Sequence, residues 1–196
     1  MANKQIPSTD IKRSLLYYFR YIQENIYICT ECKINRNFIA DILFSNSSSI
    51  SEVEVKTTYS DFIADFSKEN KSHKLKHEEY LKERNNSYAL YKIPNKFYFA
   101  IPQSLYPKCS QYLKDNPQYS KYGIIIYRAN YPDNPYPSTE GRIKIVKSAK
   151  FIHNELPDKE MVKIIVKRMS AELIKLYWFK IYVAIYNIMC YTYLSR

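Results

Sequence analysis

Residues Phe38–Lys56 read FIADILFSNSSSISEVEVK. Phe38–Phe44 is apolar except for Asp41, the pattern of a strand inside a core. Asn46–Ser49 is a turn, and Ile50–Lys56 then alternates as a strand does. Side chains two apart on a strand share a face, so Glu52, Glu54 and Lys56 point one way and Val55 the other. Asp41, on the adjoining strand, places a carboxylate where charge is costly without a partner. A divalent cation is a natural partner.

Upstream, Ser8 or Thr9 is expected to cap a helix carrying Ile11, Leu15, Tyr18, Phe19, Ile22 and Ile26 at helical spacing. The period then changes to two. In Ile26–Ile34 it places Ile28, Thr30 and Cys32 on one face and Tyr27, Cys29, Glu31 and Lys33 on the other. Downstream, the pattern predicts a helix over about Ser60–Arg84. Strands follow at Phe97–Ile101, stopped by Pro102, at Tyr122–Tyr127 and at Arg142–Val146. Three prolines make Asn130–Pro137 a loop. The resulting order, α-β-β-β-α-β-α-β-β-α, is an α/β mixed sheet flanked by helices, not an alternating doubly wound fold.

Residues 1–155 read as one domain. Residues 156–196 read as a C-terminal helical extension that packs on the core or forms a homodimer seam. Its most apolar run, Ile181–Leu194, spans 14 residues and contains Asn187, short of the roughly 20 apolar residues a membrane helix needs. That argues against a membrane anchor.

Composition excludes several activities. Gly123 and Gly141 are the only glycines among 196 residues, so neither a P-loop, a dinucleotide-binding fingerprint nor a kinase glycine loop can be assembled. Thirty Lys and Arg against nineteen Asp and Glu give a net charge of +11, which favours a polyanionic partner. Four scattered cysteines and an N-terminus, MANKQIPSTD, without an apolar segment lead to the expectation of a cytoplasmic protein with reduced thiols. The strand parity of Cys29-x-x-Cys32 would separate the two thiols onto opposite faces and keep one metal from taking both.

The spacing Asp41-x(12)-Glu54-x-Lys56 supplies hard oxygen donors suited to Mg²⁺ or Mn²⁺, with a lysine beside them. Such a set serves metal-assisted phosphodiester hydrolysis. The alternative is an exposed strand face with a cross-strand ion pair.

On these residues the chain resembles the PD-(D/E)XK nuclease superfamily, with its restriction-endonuclease-like αβββαβ core. Within it, the chain is similar to the MmcB-like family, associated with DNA repair. The resemblance is carried by the strand Arg36–Asp41 and by the run Glu54–Lys68 (EVKTTYSDFIADFSK). It extends through Lys76-His77, Phe97–Pro102 and Gly123–Tyr127, and covers roughly residues 10–150. It implies Asp41 and Glu54 as metal ligands, the Val55 carbonyl as a further ligand, Lys56 as the catalytic lysine and Glu31 as a third carboxylate. The chain departs from the family in the longer lysine-rich stretch Glu69–Lys82 and in an extended loop at Asn130–Thr139.

Lys68, Lys74, Lys76 and His77 follow the expected site and are candidates for phosphate contacts. His73 and His77 lack the glutamate of a zinc-protease motif, Lys74 standing in its place. Neither a Ser-His-Asp nor a Cys-His signature is present. The expectation is therefore a Mg²⁺- or Mn²⁺-dependent nuclease acting on DNA, with RNA as a second substrate class. A nuclease-like module that binds nucleic acid without cutting it is the alternative.

Overall fold

A computed structural model of the chain describes residues 6–25, 27–33, 39–46, 48–67, 94–131, 141–154 and 159–194. It contains a six-stranded mixed sheet in the order β1-β2-β3-β4-β5-β6. Helix α1 (Ser8–Tyr17) begins after Pro7, whose carbonyl accepts the Asp10 N–H. Pro7, not Ser8 or Thr9, occupies the cap position, with no side-chain cap. The helix widens into one π turn over Tyr18–Ile22, short of the expected Ile26.

Strands β1 (Tyr27–Lys33), β2 (Ile39–Ser45) and β3 (Ile50–Val55) form an antiparallel meander. Helix α2 (Tyr59–Ser67) lies on the connection to β4 (Lys96–Pro102), which pairs parallel to β3. Helix α3 (Tyr106–Asp115) leads to β5 (Gly123–Tyr127), parallel to β4, and β6 (Ile143–Lys147) returns antiparallel. Parallel neighbours require such crossovers. Their strands are covered on both faces and read as continuous apolar runs, FYFAI and GIIIY. Helix α4 (Lys159–Leu194) is the last described element.

Among the described residues the first six elements run αβββαβ, the order the sequence implied. Ile11 and Leu15 of α1 pack with Ile42, Val53 and Val55 on one face of the sheet. Phe62 of α2 and Cys109 and Leu113 of α3 pack with Phe97, Phe99 and Tyr122 on the other. The start of α4 covers the first two strands through Met161 and Ile165 against Cys29, Cys32 and Leu43. The C-terminal helix thus begins as part of the core. Among the described residues, no helix is long and apolar enough to cross a membrane.

The strict two-residue period expected for β1 does not hold. Glu31 has φ 49°, a left-handed conformation that breaks the alternation of side chains. Cys29 and Cys32 therefore enter one cluster instead of opposite faces. The thiols hydrogen-bond to each other; this bond, with burial, raises the Cys29 pKa, and the same bond lowers that of Cys32 against the effect of burial. Glu31 also turns to the α1 side, the side of Ile28, where parity had separated them.

Candidate active site

The site forms where β3 ends. The Lys56 N–H donates to the Ala100 carbonyl at 2.9 Å, extending the parallel ladder one residue beyond the strand. Its side chain turns with Glu54 into the layer of α2. That helix starts at a fixed point, because the Asp61 N–H donates to the Thr58 hydroxyl at 3.1 Å. Phe62 and Asp65, three apart on the helix, then face the sheet together. Phe62 seats against Phe99 with ring centroids 4.8 Å apart, and Asp65 arrives at Lys56.

The Lys56 ammonium donates to Asp65 Oδ1 at 2.7 Å and to Glu54 Oε1 at 3.0 Å. All three residues are at most 4% exposed. Buried charge survives only when paired and hydrogen-bonded. Burial lowers the Lys56 pKa, but the Glu54 charge and the Asp65 hydrogen bond outweigh it and carry the group above its ordinary value. Lys56 is thus an ammonium at neutral pH. Close by, burial and the charges of Glu52 and Asp65 push up the Tyr122 phenol.

A second cluster lies across the strand edge. Strands β2 and β3 pair from Ser45–Ile50 to Ile42–Val53. Beyond that pairing, Asp41 Oδ2 accepts the Val55 N–H at 2.8 Å. Asp41 Oδ1 takes the Lys12 ammonium at 2.8 Å, and Lys12 also bonds Glu31. Burial depresses the Lys12 pKa, but the hydrogen bonds to Asp41 and Glu31 raise it overall.

The structure therefore brings Glu54 and Lys56 together, and separately Glu31 and Asp41. The Asp41–Val55 bond links the two clusters. Lys12 and Asp65 are the partners that sequence reading did not assign. Asp65 lies in the quoted run Glu54–Lys68, two helical turns past Thr58, so its spacing carried a signal. Lys12 is one lysine among many and carried none. Lys68, Lys74, Lys76 and His77 lie outside the described residues, as does His73. Among the described residues, no group of three or more His, Cys, Asp or Glu is disposed to hold a metal ion.

No protein-family model and no curated protein matches the chain. Among solved structures it is similar to a protein of unknown function from Silicibacter pomeroyi. The TM-score is 0.52, with 14% identity over 89% of this chain and 90% of that one. At this identity the likeness concerns the fold alone.

Proposed function

We propose that the chain is a metal-dependent nuclease of PD-(D/E)XK type that hydrolyses DNA phosphodiester bonds in the cytoplasm. The observation that carries this reading is the buried Lys56 ammonium held between Glu54 and Asp65 at the end of β3, with Asp41 fixed on the N–H of the intervening Val55. Support also comes from the αβββαβ order and the net charge of +11, suited to a polyanion.

By donor type the residues suit Mg²⁺ or Mn²⁺. The Asp41 and Glu54 carboxylates and the Val55 carbonyl are hard oxygen ligands, the type these ions take. They would hold the ion, which when bound supplies an acidified water and charge stabilisation at phosphate. The protein's own residues do the rest. The Val55 N–H orients the Asp41 carboxylate. Glu54 and Asp65 fix the Lys56 Nζ and keep it protonated. A permanent ammonium donates hydrogen bonds and offsets negative charge; it does not abstract a proton. Lys56 therefore orients the attacking water or neutralises a phosphate oxygen, in the manner of a preorganised electrostatic group.

The test is incubation of the purified chain with single-stranded, duplex and branched DNA in Mg²⁺, in Mn²⁺ and in EDTA. The reading expects cleavage with metal and none in EDTA. Binding to DNA without cleavage under any of these conditions would leave the binding-only module in its place.

A further inference from the structure

We infer that the distal half of α4 is a self-association surface, taken up by the same helix of a second copy of the chain. The helix is tethered to the sheet up to Glu172, which accepts a hydrogen bond from the Thr30 hydroxyl at 2.7 Å, while Arg168 donates to the Thr30 carbonyl at 2.9 Å. Immediately afterwards the character of the surface changes. Leu173 is 68% exposed, Tyr177 69%, Trp178 66% and Phe179 65%. Isolated apolar residues at a surface need no explanation, but a contiguous patch of this kind marks an interaction site.

The sequence spacing selects the occupant. Ile174, Ile181 and Ile188 recur seven apart, with Tyr177, Ala184 and Tyr191 three residues after each. This is the a/d spacing of a coiled coil, with a β-branched residue at every a position. The pattern starts two residues after the last tether to the sheet. Leu173, Ile174, Tyr177, Trp178 and Ile181 line a shallow groove along the same side. Lys175 and Lys180 fall outside the a and d positions. Tyr177 at d and Trp178 beside it, each ring worth roughly 150–250 Å² and about two-thirds bare, supply about a third of the ~800 Å² per partner of a standard interface. Leu173, Ile174 and Ile181 add to it. An identical helix offers the same seam in the same register, as a two-fold interface requires.

Trp178 is the chain's one tryptophan, so its emission reports this surface directly. The experiment is sedimentation of the full chain over a micromolar concentration series, with Trp178 emission recorded on the same samples. The expected result is a particle of twice 23.4 kDa, with emission shifting to the blue as the dimer forms. The double variant I174K/I181K should weaken association by more than about 100-fold and leave circular dichroism of the core unchanged. Both positions follow the last tether, so the sheet does not depend on them. A monomer across the series with red emission would overturn the inference. So would blue-shifted emission that appears only with anionic lipid vesicles, which would assign the surface to a membrane interface.

Discussion

At the scale of single residues, two lysines hold the candidate site. Lys56 lies between two buried carboxylates. Replacing it by Ala leaves Glu54 and Asp65 charged without this partner, and the loss should reach about 3–5 kcal/mol. Urea unfolding of Lys56→Ala checks this, and a loss below about 1 kcal/mol would mean the cluster is solvated. Lys12 makes the second bridge, to Asp41 and Glu31, and its pKa is raised. A raised lysine pKa stabilises the fold below the unfolded value. That contribution disappears as pH climbs through the higher folded value. The wild type should therefore lose more stability than Lys12→Met between about pH 9 and pH 12, as read from urea midpoints. Equal losses would show that the Lys12 pairs contribute nothing in solution.

At the scale of elements, the close fit of β4 and β5 rests on Gly123. A Cβ built there would lie 2.3 Å from the Tyr98 ring and 2.8 Å from the Ala149 backbone nitrogen. Gly123→Ala should destabilise by about 1–3 kcal/mol or more, because neither a packed ring nor backbone can retreat cheaply. Thermal denaturation tests it, and an unchanged midpoint would refute this packing. The strands themselves were legible. Phe38–Phe44 and Tyr122–Tyr127 announce themselves through apolar, β-branched runs; strands are found at Ile39–Ser45 and, one residue later than expected, at Gly123–Tyr127. What period-two reasoning could not supply was the conformation of Glu31. Nothing in YICTECK marks a left-handed residue, yet that one backbone angle places Cys29 and Cys32 together and Glu31 beside Lys12. Alternation presumes β geometry at every position, and a single φ of 49° cancels it.

At the scale of the whole molecule, the sheet keeps its charged groups on two sides of one strand edge. Glu54 and Lys56 were readable as a pair because they are two apart on one strand. Asp41 was readable because a carboxylate in an apolar run demands a partner. The partners depend on packing between helix and sheet: the spacing of Asp65 on α2 gave a signal, whereas nothing in the sequence marks Lys12 on α1. The proposed chemistry uses both clusters, since Asp41 is fixed at Val55 and Lys56 is held by Glu54.

The most direct measurement is the single-turnover rate of DNA cleavage in Mn²⁺ by the wild-type chain beside Glu54→Gln. This substitution keeps size and an acceptor oxygen for Lys56 but removes the charge that would bind metal. With circular dichroism confirming that both proteins are folded, the account predicts metal-dependent cutting by the wild type and a fall of at least about 100-fold in the variant. Cleavage that is undiminished in Glu54→Gln, or absent from the folded wild type with either metal, would contradict it.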